Sequence, residues 1–275
     1  MRQTALRGMA LLLGVLGVLG GITGHAGAAT GRSLWVWDAP SPDILAFAGT
    51  HQVSDLYLHA PPGFSTDPAF GAFVADAQAS GLRVHAMAGD PGWATNGDAW
   101  AAWAAEASST GWFDGVVFDV EPYGLPDWST KRQGRLIRSY LAGLDGAVQA
   151  SGDLPVLAAI PFWFDEIKVK RSTLLNEVIG RVDGVVVMAY RDSAHGSDGI
   201  ITHASAEVAA AEAAGKIVVI GVETADTGLD KVSFYEEGEA IMEGELGFVE
   251  QAFAGSSAYR GIAIHHYGSY RDLRS

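Results

Sequence analysis

The stretch "FDGVVFDVEPY", Phe113 to Tyr123, decides the fold. Its Val and Phe residues favour a strand, yet it carries Asp119 and Glu121 two residues apart. Side chains of a strand alternate between faces, so these carboxyls share one face while Val116, Phe118 and Val120 take the other. Two carboxylates side by side on a buried strand repel each other and resist desolvation. A site that needs one protonated and one ionised carboxyl accounts for such a pair. A structural ion-pair network is the plainer explanation.

Seven further runs of the same kind surround it: "SLWVWD" (33–38), "VSDLYLHA" (53–60), "LRVHAMA" (82–88), "PVLAAIPFW" (155–163), "GVVVMAY" (184–190), "KIVVIGVE" (216–223) and "GIAIHHY" (261–267). Between them lie Ala-rich amphipathic stretches such as "DPAFGAFVADAQASG", "GDAWAAWAAEASSTG" and "SAEVAAAEAAGK", several closed by a Gly just before the next strand. Strands alternating with helices imply right-handed βαβ units and a parallel sheet. Eight units predict an α/β fold, a single-domain (β/α)₈ barrel. After Tyr267 only "GSYRDLRS" remains, so the final helix is short or missing. The outer ring is then open between the last and first strands, to be covered by the helical run 233–257 or by a partner.

The first residues read differently. "MRQTALRGMALLLGVLGVLGGITGHAGAA" has Arg2 and Arg7, an apolar run and Ala26-Gly27-Ala28, the layout of a secretory signal peptide over residues 1–28. The barrel then occupies 29–275, close to the ~250 residues typical of one (β/α)₈ unit. The product is expected to be secreted or at the cell surface, without membrane insertion after cleavage. The chain has 0 Cys, which excludes disulfides, thiolate metal sites and Cys nucleophiles. A formal charge of −14 disfavours nucleic acid and anionic lipid as partners, whereas a neutral glycan suits it. Oligomeric state, sugar and linkage are not legible at this level.

Active sites of such barrels lie at the C-terminal ends of the strands. Reading each strand there gathers Trp37 and Asp38 from strand one, Tyr57 and His59 from strand two and His85 from strand three. Strand four gives Asp119, Glu121 and Tyr123, strand five Trp163, strand six Tyr190, strand seven Glu223, and strand eight His265 and Tyr267. Trp93 joins them from the loop after strand three. The aromatic residues suit the apolar face of a pyranose, though each is also a plausible packing residue. The histidines serve equally well as hydrogen-bonded orienters, and Glu223 as a cap on the loop that follows it. Asp114 belongs to the turn below the strand.

"DGVVFDVE" resembles the strand-four signature of the chitinase-type glycoside hydrolases, D-G-x-D-x-D-x-E. Asp114, Gly115, Asp119 and Glu121 match it, and Val117 stands where its middle Asp would be. "VMAY" is similar to that family's Met-x-Tyr-Asp, with Met188 and Tyr190 matching and Arg191 in place of the Asp. Strand eight lacks the Trp that floors the family's sugar subsite. The resemblance implies Glu121 as general acid, Asp119 as its partner orienting a substrate acetamido group, and Tyr190 hydrogen-bonded to that group. Asp119 as the anion would keep Glu121 protonated. No cofactor or metal is called for.

A second layout fits too. Retaining glycosidases on this fold pair an acid/base Glu on strand four with a nucleophilic Glu on strand seven, where Glu121 and Glu223 stand; Val120 occupies the place of their usual Asn. Carboxyls ~5–5.5 Å apart imply retention, and ~6.5–9.5 Å inversion. Two rivals come from other classes: a carbohydrate-binding protein on a hydrolase-like barrel, and a metal-dependent hydrolase gathering His59, His85, His265 and Asp38.

Overall fold

The computed structural model describes residues 31–275, so the leader read over 1–28 lies outside the described residues. Eight parallel strands close into a barrel: β1 (Gly31–Val36), β2 (Asp55–His59), β3 (Arg83–Ala88), β4 (Gly115–Phe118), β5 (Val156–Pro161), β6 (Gly184–Met188), β7 (Ile217–Glu223) and β8 (Tyr259–His265). β8 pairs back onto β1 through Gly31–Gly261 to Leu34–Ile264. The helices between them are α1 (Pro42–Thr50), α2 (Pro68–Ala79), α3 (Gly97–Thr110), α4 (Gln133–Ala150), α5 (Leu174–Ile179), α6 (Ile200–Ala214), α7 (Glu239–Phe253) and α8 (Tyr267–Arg271). Among the described residues no helix is long and apolar enough to cross a membrane.

Local chemistry sets the helix bounds. Asp67 caps α2 by accepting from the Ala69 and Phe70 amides, and Asn96 caps α3 through the Ala99 amide. α3 and α6 stop at Gly111 and Gly215, whose positive φ of 64° and 65° ends the helix in the left-handed region. Several strands end earlier than their apolar runs suggest. β4, expected to reach Glu121, stops at Phe118, and Glu121 opens a 3₁₀ turn, Pro122–Gly124. A two-stranded hairpin, Lys168–Val169 with Ser172–Thr173, was not foreseen in the β5–α5 loop.

The barrel interior is layered. Its middle is apolar: Trp35, Tyr57, Met87, Val117, Leu157, Ala159, Val186, Val219 and Ala263 form one buried cluster. Burying each large side chain there contributes roughly 1.5–3 kcal/mol. The opposite faces of the strands, including Val116, Phe118 and Val120, join the helices in a second, outer cluster. Inward positions two residues further along carry Trp37, His59, Asp119 and His265; those two residues earlier carry Ser33, Asp55 and His85.

The final helix is short, as expected, but the seam is not open. Tyr267 and Tyr270 of α8 pack edge-on against Phe47 of α1, with ring centroids 5.3 and 5.1 Å away. Arg32 of β1 forms a forked pair with Glu243 of α7, and the Tyr270 hydroxyl donates to Glu239 and Glu243. Side chains of α7 and α8 therefore cover the junction.

Candidate active site

The C-terminal mouth is organised around the end of β4. The Asp119 amide still donates to the Ala88 carbonyl at 3.0 Å, which keeps Asp119 in the ladder and its side chain inward. Gly89 permits this: a Cβ there would stand 1.8 Å from the Asp119 carbonyl oxygen. Among the described residues no donor reaches Asp119 Oδ1, although the atom is buried. Burial, reinforced by the nearby Glu121 carboxylate and opposed by His265, pushes the Asp119 carboxyl up to about 7. The sequence reading took Asp119 as the charged partner; burial instead favours its protonated form.

Glu121 accepts a short hydrogen bond from the Tyr123 hydroxyl on Oε1. Burial and the Glu121 charge raise Tyr123, so that phenol stays a donor. Tyr190 is likewise raised well above the ordinary phenol range, first by burial and then by Glu223, Asp119, Tyr123 and Glu121. One phenol thus lies within electrostatic reach of Asp119, Glu121 and Glu223. Tyr123 also belongs to an aromatic wall with Trp163, 5.1 Å between centroids, and Trp128, which lies 5.7 Å from Trp163.

Glu223 is buried at the end of β7. Its Oε1 accepts from the amides of Thr224 and Ala225, both at 2.8 Å, and its Oε2 contacts His265 Nδ1 at 2.7 Å. The indole Nε1 of Trp37 donates to His265 Nε2 at 3.0 Å. Trp37 also lies against His59, 5.2 Å between ring centroids, and burial lowers the pKa of His59. Asp38 is exposed just beyond β1.

Four expected site residues stand elsewhere. His85 is at the opposite end of the barrel, its Nε2 3.0 Å from Asp55, which Arg83 also grips with two bonds of 2.7 Å. These residues, with Asp114, line a cavity of about 380 Å³ at the N-terminal ends of the strands. Tyr57 fills the apolar middle layer against Trp35 and His85. Tyr267 leaves the mouth to pack on α1, with the Arg271 guanidinium over its ring. Trp93 stacks on Trp100 and Trp103 of α3 as a packing residue. His85 therefore stands apart from His59 and His265, with which the metal-dependent alternative grouped it.

Two participants escaped the sequence reading. Trp128 sits in the loop after Glu121, where an aromatic following "EPYGLPD" was the available signal. Arg191 was noted only as a departure. It donates to the Tyr190 carbonyl at 2.6 Å, pairs with Asp198 in its own loop and lies over the Phe162 ring, joining the loops after β5 and β6 at the mouth.

Compared with protein-family models the chain matches none, and no curated protein matches it in sequence. Solved structures do match in shape. A GH18 chitinase from Pseudoalteromonas aurantia superposes with a TM-score of 0.57 at 14% identity, covering 87% of this chain and 95% of its own. A chitinase from Rhizomucor miehei gives 0.55 at 15% identity, over 88% and 98%. The glycoside hydrolase domain of PelA from Pseudomonas aeruginosa gives 0.51 at 14%, over 87% and 95%. At such identities the likeness is one of fold: the chain is a (β/α)₈ barrel of the kind found in chitinase-type glycoside hydrolases.

Proposed function

We propose that the chain is a secreted glycoside hydrolase acting on a polysaccharide or amino-sugar glycan, with Glu121 as general acid. The observation that carries this reading is the meeting of Asp119, whose Oδ1 is enclosed, with Glu121, held by the Tyr123 hydroxyl, at the C-terminal mouth. Tyr123 occupies one oxygen of Glu121 and leaves the other to face a glycosidic oxygen. On this reading Glu121 donates its proton to the leaving oxygen as the glycosidic bond breaks, with Asp119 beside it in a poorly solvated site. Tyr190, kept protonated, donates to a polar substituent of the sugar, and Trp163, Tyr123 and Trp128 form a wall for ring faces. No cofactor takes part. The leader over 1–28 supplies export.

The test is release of reducing ends from chitin, peptidoglycan, galactosaminogalactan, β-glucans and α-glucans by the protein and by Glu121→Gln. One substrate is expected to be cleaved, with a loss of ~10²–10⁴-fold in the variant. Activity that survives within about tenfold overturns the assignment. Retained glycan binding with no cleavage by either protein transfers the reading to a carbohydrate-binding barrel.

A further inference from the structure

The hydrogen bonds from Glu223 to Trp37 admit a single arrangement of protons. Backbone amides only donate, so Glu223 Oε1, with two of them, is an acceptor. An indole N–H only donates, so His265 Nε2 must offer a lone pair to Trp37. The imidazole proton is therefore on Nδ1, and it is donated to Glu223 Oε2. A proton on Nε2 would set two donors against each other. Both ring nitrogens of His265 are thus spent within the protein, and neither is left for a substrate. Glu223 receives three donors and is enclosed at the end of β7, with 5% of its surface exposed.

We infer that Glu223 is a positioning residue rather than a nucleophile: through the tautomer of His265 it holds the indole of Trp37 as a fixed aromatic platform for a sugar ring at the mouth. Trp37 suits that role, being half-buried in the same inward layer as Asp119. Burial lowers the pKa of its other neighbour, His59. Trp35 packs edge-on against His265 from below, 5.5 Å between centroids, and Tyr190 lies 5.9 Å away, which confines the imidazole to this orientation. The platform comes from β1, the strand beside β8, which has no Trp of its own. The inference deepens the glycoside hydrolase reading and rests on it for the identity of the ligand.

Glu223→Gln tests the relay. The amide oxygen is drawn to the site with two backbone donors, which turns the NH₂ toward His265 Nδ1. The imidazole proton must then move to Nε2, where it opposes the Trp37 N–H. In ¹H–¹⁵N spectra the Trp37 indole signal, assigned by its loss in Trp37→Phe, is expected to shift in Glu223→Gln and to exchange with solvent at least about tenfold faster. The unaltered protein is expected to show His265 ¹⁵N shifts of an Nδ1–H tautomer at pH 7. An Nε2–H tautomer or an imidazolium there overturns the inference even if the variant does not fold, and so does an unmoved indole signal in Glu223→Gln.

These spectra need no substrate, so they decide the relay even if no glycan on the panel is cleaved. With a cleaved substrate, both Glu223→Gln and Trp37→Phe should raise KM roughly three- to tenfold, the worth of one aromatic contact, with kcat within about twofold. Their double variant should be no worse than either. A collapse of kcat in Glu223→Ala that azide restores, with a glycosyl azide as product, would make Glu223 the nucleophile and overturn the inference while leaving Glu121 as the acid.

Discussion

Val117 shows how one residue changes the chemistry of its neighbour. It lies in the apolar middle layer with Trp35, Tyr57 and Met87, two positions before Asp119 on the same inward face. A carboxyl at 117 would stand beneath Asp119; Val offers no hydrogen bond, and Asp119 Oδ1 goes unpartnered among the described residues. Burial then dominates and the carboxyl rises to about 7. Asp119 accordingly carries its proton below that pH and loses it above. If catalysis draws on this proton, kcat/KM falls as pH rises through about 7. Asp119→Asn should lower kcat by roughly 10²-fold or more and abolish that alkaline limb, as pH–rate profiles of both proteins would show. A limb that persists unchanged in the variant would assign it to another group. Strand alternation alone made the pairing of Asp119 with Glu121 legible. The rise in the Asp119 pKa was not legible, because it depends on the enclosure of one oxygen by packing from other strands.

At the scale of elements, alternation states which face a residue takes but not how deep along the barrel it lies. His85 was expected at the mouth because it points inward. It comes two residues before the apolar layer, as Asp55 does, and therefore faces the other end. Counting from Met87 as the middle layer would have placed His85 correctly. Tyr267 was misplaced for another reason: the chain leaves β8 at His265 and turns into α8, so alternation no longer applies. Loop geometry was the least legible. Asp198 receives Arg191, His203 at 2.7 Å and Lys231 at 2.7 Å, tying the loops after β6 and β7 together, while Phe162 after β5 lies under Arg191. Arg191 holds the Tyr190 carbonyl, so the clamp governs where that phenol sits. Arg191→Ala is expected to lower kcat/KM by roughly ten- to a hundredfold through misplacement of Tyr190. Arg191→Lys should recover little of it, since an ammonium cannot reproduce the fork and the stacking. Steady-state kinetics on a cleaved substrate checks this, and full activity in Arg191→Ala would separate the clamp from the site.

On the scale of the whole molecule, eight strand runs and the helical stretches between them were enough to read the barrel, because parallel strands buried on both faces leave few other arrangements. The run 233–257 reads as one possible cover for the seam, and α7 supplies it; the contacts that close it, Arg32 and Tyr270 meeting α7, were not readable. Nor was Glu207 on α6, which is fully buried, with both carboxyl oxygens unpartnered among the described residues. Burial, with a smaller contribution from Asp165, pushes it from an ordinary 4.5 up to about 8. Because the folded value lies above the unfolded one, the native state binds the extra proton. This group's stabilisation is complete below about 4.5 and is lost as pH rises through about 8. The loss at full ionisation is on the order of 5 kcal/mol. Glu207→Gln cannot ionise, so its stability should decline less between pH 5 and 9 than that of the parent, whatever the variant's absolute stability. Urea unfolding at several pH values in that range measures the two slopes. Parallel slopes would mean that the folded barrel does not hold Glu207 as a neutral acid.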